Sequence, residues 1–405
     1  MAKDTVSYWK LIGKVALFAL FCGVASLPLF GFYVHLLNSV GEFIFSKKLV
    51  AICREERVCW LSGYYDSGHA LKPSIARLVS PRIAVIGSSR VMQFRAEMFK
   101  KVSPHEFYNL GGGSRDMTDA TLNLLGLLKE SQNVECVLLG LDWWWFQIDG
   151  RDAAVKHPGG PGPSKFGLLR SEIKRELENW KEFLLDQIQL LQRAWRDEKF
   201  WKAMERTDKR EARSKRLLLG LGAASGGFRN DGSYLYSKTV FEFEKNPPSP
   251  EMMRREGIKR FSSGLYRGNA IDPKAVLQLR RFMEICSKNR ISTIVLLPPL
   301  EQEVLEMFQD HSASRDFWRA FPSHVASLCR QFKTPVFDFS GPPILRIDHR
   351  HFIDWFHGSE VVFLKMLLAM AQDPEAQPIL AKYVDQESME LQMMGAKSNY
   401  SIYGD

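Results

Sequence analysis

The sequence is poor in cysteine. Its 405 residues hold six, and no two form a Cys-x-x-Cys pair, which excludes a disulfide-stapled scaffold, a zinc ribbon and a thioredoxin-type redox site. There is no His-Glu-x-x-His run. His349, His351 and His357 cluster with a single set of acidic neighbours, so no metal centre is expected, and no cofactor motif is read. An excess of charge of one sign is also modest: 55 Lys and Arg stand against 46 Asp and Glu, a net charge of +9. That surplus suits anionic glycan, anionic lipid or nucleic acid without choosing among them. No recognisable nucleic-acid module accompanies it, so no nucleic-acid partner is expected. What the chain does have is core material: 45% of its residues are hydrophobic and 12% aromatic. At this length that is enough for a large buried interior.

Long apolar runs are scarce, and the one of note comes early. Val15 to Val34 reads VALFALFCGVASLPLFGFYV, about 20 residues without a charge, enough to cross a ~30 Å hydrocarbon core as a helix. Lys3, Lys10 and Lys14 precede it and no A-x-A-like cleavage site follows. The run is therefore read as a retained signal anchor rather than a cleaved leader. The positive-inside rule then places residues 1–14 in the cytoplasm, 15–35 in the membrane as a single transmembrane helix, and the bulk of the chain outside the cytoplasm. Cys53 and Cys59 would face an oxidising space there. They either close a small loop or are two unrelated thiols, and the sequence leaves both open.

After a connector over 36–80, short apolar runs alternate with helical patterns. Arg82–Gly87 (RIAVIG), Phe107–Leu110 with the turn Gly111-Gly112-Gly113, Val134–Leu141 (VECVLLGL), Arg290–Leu297 and Pro335–Phe339 read as buried parallel strands. A helix is expected from Arg90. Another spans Thr118–Leu128, capped by Asp116 or Thr118, and a third runs from about Asp272 to Lys288. The pattern predicts an α/β fold, a three-layer sandwich on a central parallel sheet, over 81–150 and 265–375. Residues 151–264 are expected to form a mainly helical insertion. A Pro/Gly linker at His157–Pro163 opens it. A stripe of Leu169, Ile173, Leu177, Trp180, Leu184, Ile188, Leu191 and Trp195 then draws one apolar face along a helix over 165–219. That helix reads as a cap on the α/β core, or as a membrane-surface or partner-binding helix. Residues 376–405 are read as a C-terminal tail.

Three segments carry chemistry. Gly87-Ser88-Ser89-Arg90 follows the first strand, where functional groups of parallel sheets gather. Ser89 stands at a helix start, whose N–H groups can stabilise an oxyanion. Ile353-Asp354-Trp355-Phe356-His357 places an acid three residues before a histidine, so that Asp354 can orient His357 and His357 can deprotonate a serine. The third set is the turns after the next strands, Asn109 to Gly113 and Gly140-Leu141-Asp142, where small residues let backbone donors approach a reacting carbonyl.

In this order the segments resemble the SGNH (GDSL-like) hydrolase superfamily. The resemblance implies Ser89 as nucleophile, His357 as base, Asp354 as its acid partner, and Asn109, Gly112 and Gly113 at the oxyanion and substrate side. It covers roughly 80–145 and 270–370. Where the superfamily has Gly-x-Asn, this chain has Asp142, which cannot donate a hydrogen bond when ionised. Arg90 either holds an anionic substrate group or pairs with an acid. With the anchor, the layout is similar to the membrane-anchored DltD-like and polysaccharide O-acetylation-associated branch. That implies a serine acyltransferase or esterase, bound to a bacterial inner membrane with a periplasmic catalytic domain. It would act in O-acylation, O-acetylation above all, of a cell-envelope or secreted polysaccharide, beside a membrane-bound O-acyltransferase. The alternatives are a glycan-deacylating esterase and a degenerate scaffold that binds glycan or a membrane partner.

Overall fold

A computed structural model describes residues 46–62, 67–130, 133–149, 216–262, 268–311, 314–341, 345–347, 349–396 and 398–403, with positions 42 and 44. The apolar run Val15–Val34, the 157–163 linker and the stripe from Leu169 to Trp195 lie outside the described residues. Among the described residues no helix is long and apolar enough to cross a membrane.

The chain opens with α1 (Ser46–Glu55), β1 (Val58–Trp60) and α2 (Ser67–Val79), then enters the main fold with β2 (Ile83–Gly87), β3 (Phe107–Gly111), α3 (Met117–Glu130) and β4 (Cys136–Gly140). There follow β5 (Gln147–Asp149), β6 (Leu217–Leu219), β7 (Gly227–Phe228), β8 (Tyr234–Leu235), α4 (Ser237–Lys245), α5 (Pro250–Ser262) and β9 (Gly268–Ile271). The last part runs α6 (Pro273–Lys288), β10 (Ser292–Leu297), α7 (Gln302–Asp310), α8 (Arg315–Arg330), β11 (Val336–Asp338), α9 (Glu360–Gln372), α10 (Gln377–Leu380) and α11 (Gln386–Met394).

The molecule is α/β, built on a five-stranded sheet in the order β11-β10-β4-β2-β3. Every neighbouring pair in it is parallel. β2, β3 and β4 are buried at every position, as expected of parallel strands covered on both faces. Helices α2, α3 and α6 pack side by side and against β3, β2 and β10. α6 is set by its sequence: Asp272 accepts the Lys274 N–H as N-cap, Pro273 occupies the first turn, and Leu279, Phe282, Met283 and Cys286 recur on its buried face. Asp116 Oδ1 takes the Asp119 N–H at 2.8 Å and so begins α3.

Three expectations change. The helix expected from Arg90 is a short 3-10 turn, Ser89–Val91, because Val91 must pack down onto the sheet rather than continue a helix outward. Leu217–Leu219, read as the end of a long helix, is a strand paired in parallel with Val58–Trp60. The 36–80 stretch is thus more than a connector: β1 pairs with β6 on one side and with β7 on the other, in a second sheet ordered β6-β1-β7-β8. Cys53 and Cys59 are both free thiols.

Candidate active site

Three strands of the central sheet, β2, β3 and β4, end in glycine; Val91 crowds all three positions, and Asn109 Oδ1 crowds Gly111 as well. The turn after β2 lays the Val91 side chain across all three strand ends. A Cβ on Gly140 would sit 2.2 Å from Val91 Cγ1, one on Gly87 2.7 Å from Val91 Cγ2, and one on Gly111 3.0 Å from it. Carbon atoms pack at about 3.5–4 Å, so only glycine lets the turn settle there. Ser88 Oγ accepts the Arg90 N–H at 3.1 Å and caps the turn. Ser89 is left half-buried at the carboxyl end of the sheet.

Across from it, Phe352 and Gly358 form an antiparallel bridge that closes a small loop. The Ile353 N–H donates to the His357 carbonyl at 2.8 Å and the Ser359 N–H to the His351 carbonyl at 2.9 Å. The loop presents His357 to Ser89: Nε2 lies 2.8 Å from Ser89 Oγ. On the other side of the ring, Nδ1 lies 2.6 Å from Asp354 Oδ2. Asp354 Oδ1 accepts the Phe356 and His357 N–H groups at 3.0 and 2.8 Å. Burial opposes the Asp354 charge, but the imidazole and these two N–H donors outweigh it and hold the carboxyl below the ordinary range. Ser89, His357 and Asp354, distant in sequence, therefore make one hydrogen-bonded triad.

The remaining residues singled out from sequence sit near the triad in other roles. Arg90 faces the protein, not solvent. Its guanidinium pairs with Asp142 at 3.1 Å, with the two side chains 2% and 1% exposed. It also donates to the carbonyls of Pro298 at 2.5 Å, Pro299 at 2.8 Å and Phe356 at 3.4 Å. Of the two readings of Arg90, pairing with an acid is the one observed. Asp142 is fully buried in turn; burial pushes its carboxyl upward, while Arg90 and the Ser88 hydroxyl work against that shift. Asn109, expected on the substrate side, is wholly buried. Its amide donates to the Val91 and Phe94 carbonyls, both at 2.8 Å, and its Oδ1 accepts the Gly111 N–H at 2.6 Å. It braces the Ser89 turn instead of facing a ligand. Gly112, at φ +80°, donates its N–H to Gly87 O at 3.2 Å, and Gly113 donates to Leu110 O at 2.9 Å. The glycine turn thus spends its N–H groups on holding its own shape. The Ser89 N–H stands at the first position of the 3-10 turn, where backbone N–H groups have no partner within the turn.

The chain matches no family model and no curated protein.

Aromatic rings border the triad. The Phe356 ring lies 4.0 Å from the His357 ring, centroid to centroid, and stacks on Trp355 at 4.3 Å. Trp144 meets Phe356 at 6.2 Å and Tyr236 meets His357 at 6.1 Å. Arg90 lies over Trp143 at 4.6 Å.

Several supporting residues escaped the sequence reading. Lys72 is fully buried; its ammonium donates to the Gly111 carbonyl and, at 2.6 Å, to the Gly232 carbonyl, and it lies 4.5 Å over the Phe228 ring. Glu360, three residues beyond His357, is 2% exposed and accepts from Arg95 at 2.7 Å and Arg229 at 2.9 Å. Its other oxygen accepts the Ile402 N–H at 3.0 Å. No local pattern marks these positions. The turn Phe228–Tyr234 is a structural hub: Asn230 takes the Val58 N–H at 2.7 Å and Asp231 the Ala96 N–H at 2.8 Å.

Proposed function

We propose that this protein is a serine-dependent acyltransferase or esterase of the SGNH-like type, with Ser89 as nucleophile, His357 as general base and acid, and Asp354 as the group that orients His357. The observation that carries the reading is the unbroken hydrogen-bonded path from Ser89 Oγ through His357 to Asp354. Ser89 Oγ attacks the acyl carbon as its proton passes to His357 Nε2. The carbonyl oxygen becomes an oxyanion, met by the Ser89 N–H and the positive end of the turn. Collapse expels the leaving group, which takes the proton from His357, and leaves an acyl-Ser89 ester. An acceptor hydroxyl then gives its proton to His357 and attacks the ester, freeing Ser89. A sugar acceptor makes the reaction a transfer, and water makes it hydrolysis.

The anchor expected over 15–35, together with the parallel α/β sheet, extends the proposal to a periplasmic domain at a bacterial inner membrane. The acceptor would be a cell-envelope or secreted polysaccharide, O-acetylated in concert with a membrane-bound O-acyltransferase.

A second reading has its own support. With Asp142 paired to Arg90 and the Gly112 and Gly113 N–H groups engaged, the oxyanion has fewer donors than the superfamily supplies. A scaffold that binds glycan or a membrane partner without turnover needs none. Fluorophosphonate labelling of the purified protein separates the two. Labelling of wild type that is lost in both S89A and H357A supports the enzyme. Folded wild type that does not label supports the scaffold.

A further inference from the structure

The cavity of greatest chemical interest is not at Ser89. It opens at the other end of the sheet, beside Phe107, the first residue of β3, whose last residue Gly111 adjoins the Ser89 turn. At ~3.3 Å per residue, the two ends are about 13 Å apart. The cavity measures about 380 Å³, within the usual range for a small-molecule site. Its floor is apolar, made by Val50 of α1, Ile75 and Val79 of α2, and Phe107.

The charges around this floor do not balance. Four arginines line it, Arg54, Arg57, Arg216 and Arg229, against two carboxylates, Glu97 and Asp231. Both carboxylates are already engaged. Glu97 pairs with Arg95 at 2.7 Å. Asp231 accepts the Ala96 N–H at 2.8 Å, the Ser233 N–H at 2.9 Å and the Ser233 hydroxyl at 2.6 Å. Arg229 is spent on Glu360. Cys53, also in the wall, adds no negative charge: burial pushes its thiol up to about 12. Arg216 is set into the wall at 6% exposure. The side chains of Arg54 and Arg57 are exposed at the mouth and make no hydrogen bond or ion pair with any described residue. Two forked cations with open donors, above an apolar floor, match a phosphate group carried on an organic body.

We propose that this cavity binds a phosphate monoester, with Arg54 and Arg57 gripping the phosphate and Val50, Val79 and Phe107 taking the apolar part of the ligand. The phosphate could belong to a lipid headgroup or to a free, soluble phosphate, and one titration distinguishes the sources. The full chain in non-ionic detergent is titrated calorimetrically with inorganic phosphate and, separately, with dihexanoyl phosphatidic acid. The expected result is one saturable site for the lipid, weakened at least tenfold in R54A/R57A and unchanged in R254A/R255A. The second pair removes the same charge from exposed positions on α5. Equal binding of inorganic phosphate would assign the site to the phosphate alone, and binding of the lipid alone would assign it to a headgroup. Should the alanine pair lose its cooperative melting transition, R54K/R57K replaces it; the lysines keep the charge but lose the forked geometry, so binding must still weaken several-fold. The proposal fails if neither probe binds, if the Arg54 and Arg57 variants bind like wild type, or if the control pair loses as much.

Discussion

Arg90 and Asp142 form a buried ion pair at 3.1 Å directly beneath the Ser89 turn. Through the same guanidinium, Arg90 reaches the chain after β10 at Pro298 and Pro299 and the His357 loop at Phe356. One side chain thus ties together the segments that carry Ser89 and His357. Removing either partner leaves an uncompensated buried charge, which costs about 3–5 kcal/mol. R90M and D142L are each expected to lower unfolding free energy by about that much, and the double variant by clearly less than their sum. Urea denaturation of the four proteins checks this; additive losses would show the pair to be uncoupled.

The fit of Val91 over the strand-end glycines predicts an overpacking effect. G140A places a methyl 2.2 Å from Val91 Cγ1, and forced overpacking costs about 1–3 kcal/mol. V91A in the same chain opens space for it, so G140A/V91A should be more stable than the two single losses predict. Thermal melts of the set provide the measurement, and a G140A protein with the wild-type midpoint would refute the packing account.

Asp354 fixes both the tautomer and the orientation of His357 through Oδ2. D354N keeps the shape but can present its amide N–H to Nδ1. That favours the tautomer with its proton on Nε2, which cannot take the Ser89 proton. The expected loss in fluorophosphonate labelling rate is on the order of 10⁴-fold, with the melting temperature little changed. A variant that labels within tenfold of wild type would remove Asp354 from the triad.

Glu360 links His357's neighbourhood to acid stability. Burial alone would raise its pKa, but Arg229, Arg95 and the Ile402 N–H outweigh burial and lower it. A carboxylate held lower in the folded state contributes stability above the unfolded value, about 4.3. That contribution is lost as pH falls through the folded value. E360Q removes the charge that Arg229 and Arg95 share, leaving Arg95 with Glu97 alone and Arg229 without a carboxylate, so it should be less stable at pH 7 by about 3–5 kcal/mol. Its loss of stability between pH 7 and pH 3 should be smaller than in wild type. Urea midpoints across that range test it, and parallel curves would mean that Glu360 does not titrate on unfolding.

Lys72 holds the carbonyls of Gly111 and Gly232 in the interior. K72M keeps the apolar stem and strands both acceptors, at about 1–3 kcal/mol each. Chemical denaturation should register a loss of roughly that order, and a neutral outcome would mean that the carbonyls find other donors.

The central sheet was legible because β2, β3 and β4 are buried at every position. Runs such as Ile83–Gly87 and Cys136–Gly140 are nearly unbroken apolar segments ending in glycine, and helical patterns separate them. The second sheet was hidden for a local reason: β1, β6, β7 and β8 are two or three residues long, too short to show a period of two. Ser89, Asp354 and His357 were readable as three weak signals in a meaningful order. Nothing in the sequence could say that His357 Nε2 would come within 2.8 Å of Ser89 Oγ.

The roles of Arg90, Asn109 and Asp142 depend on partners supplied from distant strands. A buried arginine and a solvent-facing one look alike in a sequence, and a buried asparagine looks like a ligand-binding one. Sequence by itself determined the α/β alternation, the glycine ends of the strands and the residues able to carry nucleophilic chemistry, because periodicity and side-chain chemistry are local properties. Tertiary structure alone decided which charges are buried in pairs, which N–H groups are already used, and which arginines are left open at the cavity mouth. Those outcomes depend on desolvation and on distance, and neither exists until the chain has folded.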